Sequence, residues 1–161
     1  MERSRVWRAA PGYAMPDFIL PDGTGRHVHR AQYRGHNSLV VVFVGDGLGE
    51  TARGFLSSLV RWYPKYAMGG AEVLAILLGP PAAARELEVG QELPFPVLAD
   101  EDGRLYRECA ALDARGQPRL MVFLVDVMGQ IEAVYRKDGA GLPTPNELHQ
   151  WLAFLGAQCA A

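Results

Sequence analysis

An α/β fold with a mixed central sheet is what this sequence predicts, and three observations carry the prediction. Residues 38–44, 72–78 and 120–126 are near-continuous apolar, β-branched runs, the pattern of strands buried on both faces rather than one. Between them lie segments in which apolar residues recur at helical spacing. The third run is followed by "DVMGQIEAVYR", a turn that leads straight into a fourth strand, so part of the sheet must be antiparallel.

Taken in order, "DFILPDGTGRHVHR" reads as two short extended pieces around an Asp/Gly turn, an N-terminal hairpin. Residues 38–44 form the first central strand. A helix is predicted over 51–66, because Phe55, Leu59, Trp62, Tyr63 and Tyr66 make one stripe while Arg53, Ser57, Arg61 and Lys65 take the opposite side. Pro64 falls in its last turn, and Gly69-Gly70 ends it. The second strand, 72–78, leads to a helix over 81–89 with proline in its first turn. A short extended piece at 95–99, the turn "DEDG" and a short helix over 105–112 come next. After the strand at 120–126 and its hairpin partner, Thr144 opens the last helix, with Pro145 at its first position and Glu147 at its third. Trp151, Leu152 and Leu155 give that helix an apolar side. The first βαβ unit should be right-handed, which makes strands 38–44 and 72–78 parallel and places helices on both faces of the sheet.

Composition bounds the function. A chain of 161 residues, 49% hydrophobic and 21% charged, suits one domain with a substantial core. Residues 1–10 and 157–161 are expected to be flexible ends. The longest apolar run, 39–44, is far too short to span a bilayer, and "MERSRVWRAAPGY" has no apolar segment of the kind a signal peptide carries, so a cytoplasmic location and no membrane partner are expected. Sixteen basic and 18 acidic residues are interspersed, giving a net charge of −2 and no basic stripe, which argues against nucleic acid. Two cysteines, Cys109 and Cys159, exclude a disulfide framework and a four-thiolate zinc site.

The stretch "MPDFILPDGTGRHVHRAQYRGHNSLVVVFV" resembles the opening of the peroxiredoxins of the alkyl hydroperoxide reductase/thiol-specific antioxidant group. Pro16, Asp17, Phe18, Leu20, Val28, Tyr33, Arg34 and Gly35 stand in that family's pattern. "FPVLADEDGRLYRECAAL" and "PRLMVFLVDVMGQI" are similar to two later motifs, so the resemblance runs from about residue 11 to the final helix. It implies a thioredoxin-like fold, reduction of peroxides by a cysteine thiol with a reducing protein as electron donor, and a homodimer. It also implies an active-site arginine at Arg119, beside Pro118, where thioredoxin-like proteins often carry a cis proline.

Chemistry departs from the family between the first strand and the helix, in "GDGLGETARG". The family places a proline, a threonine and, three residues after the threonine, the peroxidatic cysteine there. Counted from Phe43, the cysteine position is Ala52 and the threonine position Gly49. Counted from Thr51, the cysteine position is Gly54. Neither register supplies a thiol, Gly45 stands in place of the proline, and a Cys-x-x-Cys pair is missing. Peroxide reduction needs a thiolate, whose formation a helix N-terminus and a nearby arginine favour. Thr51 is a poor nucleophile without an adjacent base. What remains is a glycine loop, helix amides and Arg119, which read either as a vestige or as an anion-binding site formed by Thr51, Ala52 and Arg119.

Other patterns weigh less. Gly45, Gly47 and Gly49 follow a strand, but a dinucleotide fingerprint needs glycine where Glu50 stands, and no Gly-Lys-Ser/Thr follows for a phosphate loop, so no cofactor is expected. Cys109 reads as a small buried side chain and Cys159 as part of the tail, although relocated thiol chemistry at either would make the chain an active oxidoreductase. His27 and His29 share a strand face, but a third ligand would have to come from His36 or Asp22, and an exposed hairpin is the plainer account. Asp100, Glu101 and Asp102 precede Gly103 as a turn would. The two function classes that stand are a redox-inactive domain binding a small anion or a protein partner through the 45–54 loop, and a thiol oxidoreductase acting through Cys109 or Cys159.

Overall fold

Residue-level burial explains the architecture of the chain. A computed structural model describes residues 9–137 and 141–159, together with the side chains of all of these but 158 and 159. Strands β1 (Ile19–Pro21) and β2 (His27–His29) pair antiparallel as the N-terminal hairpin. The main sheet contains β3 (Ser38–Phe43), β4 (Ala71–Leu77), β5 (Val97–Ala99), β6 (Met121–Val125) and β7 (Ile131–Arg136), in the spatial order β5-β4-β3-β6-β7. Strand β3 is parallel to β4 and antiparallel to β6, so the sheet is mixed as expected.

Side-chain alternation divides β3 between two cores. Val40 and Val42 face helices α1 (Glu50–Met68), α2 (Pro81–Gly90) and α4 (Pro145–Cys159). Leu39, Val41 and Phe43 face Met15, Phe18 and Val28 of the N-terminal region and the short helix α3 (Arg104–Glu108). Every residue of β3 is buried, which is why its run is apolar without interruption. Burial of a full valine or leucine side chain is worth about 1.5–3 kcal/mol, so a slip of one residue would not expose this strand but would mismatch both cores. Helices thus lie on both faces, three on one and only the five-residue α3 on the other, where the hairpin completes the cover.

Several boundaries differ from the sequence expectation. Helix α1 continues two residues past Tyr66 to Met68, and Gly70, at φ +83°, turns the chain into β4. The helix expected over 105–112 stops at Glu108: Ala110 adopts φ +55°, the Ala111 N–H folds back to Tyr106 O at 2.8 Å, and Leu112 pairs with Pro118 instead. Thr144 caps α4 through a hydrogen bond from the Glu147 N–H to its Oγ1 at 3.1 Å. That helix runs to Cys159, through part of the segment expected to be tail; residues 160 and 161, and residues 1–8 of the expected N-terminal stretch, lie outside the described residues. All described peptide bonds are trans, that of Pro118 included.

Candidate active site

At the carboxyl end of β3 the backbone turns sharply. Val44 still pairs with β4, its N–H reaching Ile76 O at 3.0 Å. Gly45 then takes φ +64° and donates its N–H to the hydroxyl of Tyr106 at 2.9 Å, while its carbonyl accepts from the Leu78 N–H at 2.8 Å. Gly47 is where the loop favours glycine: φ is +78°, and a Cβ there would crowd Leu87 Cδ2 at 3.0 Å and Leu77 Cδ1 at 3.2 Å. Asp46 fixes the loop by accepting the Leu48 N–H at 2.9 Å.

Helix α1 starts from this loop with Gly49 as its N-cap and no side-chain cap bond. The Arg53 N–H is the first to find a helical carbonyl, that of Gly49, at 3.1 Å, so the amides of Glu50, Thr51 and Ala52 belong to the turn with no intrahelical acceptor. The opposite wall comes from the segment between α3 and β6. Asp113 Oδ1 accepts N–H bonds from Arg115 at 2.8 Å and Gln117 at 2.9 Å, and Arg119 N–H reaches Ala111 O at 2.7 Å. Lys137, just past β7, donates its N–H to Leu120 O at 3.2 Å and extends Nζ to 3.4 Å from Thr51 Oγ1.

These segments enclose a pocket of about 500 Å³. Gly45, Gly49, Thr51, Ala52 and Arg119 all line it; Gly54, one turn further along α1, does not. Of the two counted cysteine positions, Ala52 lines the pocket and Gly54 does not. Two further charged lining residues, Asp46 and Glu50, lie within the 45–54 loop but were not singled out, and two more, Asp113 and Lys137, escaped the sequence reading. Lys137 could have been found by counting back through the β6–β7 hairpin, but a register shift at Leu124/Val125 moves that count by one residue. None of the lining residues is a cysteine.

Cys109 lies elsewhere. It is fully buried with Phe43, Tyr106 and Phe123, on the sheet face opposite α1. Burial pushes its thiol well above the usual range, and the charges of Glu108 and Asp100 push the same way, so a thiolate is disfavoured. The Cys159 side chain lies outside the described residues. Ser58, in the third turn of α1, is half-buried and donates its hydroxyl to Phe55 O at 2.6 Å. His27, His29 and His36 are exposed, and among the described residues no group of three or more His, Cys, Asp or Glu is placed to hold a metal. No described helix is long and apolar enough to cross a membrane.

Tyr106 ties the pocket to the second core. Its hydroxyl donates to Ile76 O at 2.6 Å while accepting from Gly45, its ring meets Phe43 edge-on at 4.9 Å, and its N–H donates to Asp100 Oδ2 at 2.9 Å. Burial raises the Tyr106 hydroxyl far above the usual range, which keeps it neutral and able to donate. Asp100 is itself buried, and burial raises its carboxyl despite the N–H bonds it accepts, with the neighbouring Asp102 carboxylate adding to the rise.

With this geometry in hand, comparison with known proteins is decisive for the family: the sequence model of the AhpC/TSA family matches residues 11–134. The chain belongs to that family. Among similar AhpC/TSA proteins are the chloroplastic peroxiredoxin Q of Oryza sativa subsp. japonica, 29% identical over 133 residues, and that of Populus jackii, 27% identical over 129. These matches cover 80% and 77% of this chain, and the chain spans 59% of the length of each relative. The solved structure of Mycobacterium tuberculosis peroxidoxin BcpB superposes with a TM-score of 0.78 at 15% identity, covering 92% of this chain and 97% of that one. For the bacterioferritin comigratory protein of Xanthomonas campestris the TM-score is 0.74 at 19% identity, with 92% and 96% covered. Both establish a shared thioredoxin-like fold for this AhpC/TSA member.

Proposed function

We propose that this AhpC/TSA protein is redox-inactive at the family's usual position and uses the pocket at the β3–α1 junction to bind a small ligand through an anionic group. One observation supports the reading above the rest: the pocket keeps helix amides, Thr51, Arg119 and Lys137, yet its lining contains no sulfur, and Ala52 stands where the count from Phe43 puts the reacting residue. Backbone N–H groups at a helix start, a hydroxyl and two cations can receive an oxyanion, whereas attack on a peroxide O–O bond needs a thiolate.

Two measurements test it together. Peroxide consumption is followed with dithiothreitol as reductant, and thiols are titrated before and after. The expected outcome is no consumption above the buffer rate and an unchanged thiol count. Catalytic consumption that disappears in Cys109→Ala or Cys159→Ala would replace this reading with a thiol oxidoreductase. In parallel, inorganic phosphate or sulfate is expected to raise the Tm of the parent and not of Arg119→Ala. A ligand at ten times its Kd stabilises by about 1.4 kcal/mol, which for a domain of this size is about 3–6 °C. No rise at any accessible concentration removes the anion-binding part of the proposal.

A further inference from the structure

The ligand's anionic group accounts for only part of this pocket. Its volume, about 500 Å³, lies in the range of sites for small organic molecules. An inorganic oxyanion fills the space of a few waters, at about 30 Å³ each, and leaves most of it empty. The charged lining is also of both signs. Arg119 and Lys137 come from one wall, since Lys137 N–H bonds to Leu120 O, next to Arg119. Asp46 and Glu50 come from the loop after β3 and the first turn of α1, and Asp113 comes from the same segment between α3 and β6 that carries Arg119. Three carboxylates beside the two cations weaken the hold of helix amides, Thr51, Arg119 and Lys137 on a bare anion. Asp46 and Asp113 each have one oxygen engaged by their own turn amides, which orients the carboxylate and leaves the other oxygen for a donor. Val44, Ala52, Pro118 and Leu120 supply apolar surface to the same pocket.

We infer that the ligand is a small organic zwitterion, of the size of an amino acid or dipeptide. Its carboxylate faces Lys137 and Arg119, its ammonium faces Asp46, Glu50 and Asp113, and its short apolar body meets Val44, Ala52, Pro118 and Leu120. This deepens the proposed function and rests on it. A single charge sign on the ligand would leave one set of side chains unmatched, and desolvating unmatched charges costs affinity.

The probes are alanyl-alanine (both charges), N-acetyl-alanyl-alanine (carboxylate only), alanyl-alanine amide (ammonium only) and inorganic phosphate, titrated by calorimetry against the full chain. Alanyl-alanine is expected to bind about ten-fold more tightly than any singly charged probe. Asp113→Asn keeps the oxygen that accepts the Arg115 and Gln117 N–H groups, so the turn survives; it should weaken alanyl-alanine while the N-acetyl form, relieved of a like charge, binds more tightly. Lys137→Met should weaken both. If N-acetyl-alanyl-alanine or phosphate binds as tightly as alanyl-alanine, the zwitterion inference fails while anion binding stands. If no probe binds, the proposed function falls with it.

Discussion

Replacement of Tyr106 by phenylalanine removes one oxygen from the interior and disconnects the pocket loop from the core behind it. Two hydrogen bonds disappear, and they are not equivalent. Ile76 O loses the tyrosine hydroxyl but keeps the Val44 N–H at 3.0 Å, so that carbonyl stays satisfied and the net loss is about 1 kcal/mol. The Gly45 N–H loses the acceptor it holds at 2.9 Å, in a half-buried turn, and a donor stranded in that way costs about 1–2 kcal/mol. The phenyl ring still packs edge-on against Phe43, so no cavity term is added. The total is about 2–3 kcal/mol, a fall of about 5–10 °C in Tm. Urea unfolding should show a lower midpoint at unchanged slope. Alanyl-alanine affinity should fall further than in Phe123→Leu, a core substitution of similar cost beside the same Phe43 that leaves the Gly45 bond intact. A Tyr106→Phe variant within about 0.5 kcal/mol of the parent, with unchanged affinity, would refute the coupling of this hydroxyl to the pocket.

Two further outcomes follow from individual residues. Because burial raises the Asp100 carboxyl, the folded chain holds that proton at pH values where the unfolded chain has released it; stability therefore falls as pH rises from about 4 through the raised value, and stays lower above it. Asp100→Asn mimics the protonated form, with an oxygen for the Tyr106 N–H and an amide facing Asp102, so the difference in Tm between variant and parent should grow over that window; a constant difference would contradict the assignment. Ala110, exposed at φ +55°, gives a second case. An L-residue there costs about 1–2 kcal/mol and glycine's extra chain entropy about 0.5–1 kcal/mol, so Ala110→Gly should stabilise by about 0.5–1 kcal/mol in urea titration, and a loss of stability would show that the turn is not strained.

Burial and periodicity made the fold legible, and they stop being informative where the site begins. The run at 39–44 and the stripe Phe55, Leu59 and Tyr66 declare themselves because each residue obeys a single local rule, and the buried faces of β3 and α1 follow it. The end of α3 obeys no such rule. Residues 105–112 are compatible with helix, and what stops them is tertiary: the pairing of Leu112 with Pro118 and the bond of Arg119 N–H to Ala111 O draw the chain away. That same detour delivers Asp113, Pro118 and Arg119 to the pocket.

The charged lining illustrates the same limit more sharply. Lys137 reaches Thr51, 86 positions away in the chain, because β7 is registered against β6 and β6 against β3, with one shift at Leu124/Val125 on the way. Tyr106 meets Gly45, 61 positions away, by crossing under β4 from the other face of the sheet. Resemblance to a family locates the strand end and the helix start, since the buried run and the helix that follows it are needed for the fold whatever the chemistry of the loop between them. Of the charged side chains at the pocket, Lys137 arrives through sheet register while Asp46 and Glu50 sit in the loop and first helical turn after β3; all three positions are exposed and so tolerate any residue type. A shared scaffold thus leaves the charges at such exposed positions free to vary, and membership of the family does not by itself set what this pocket holds.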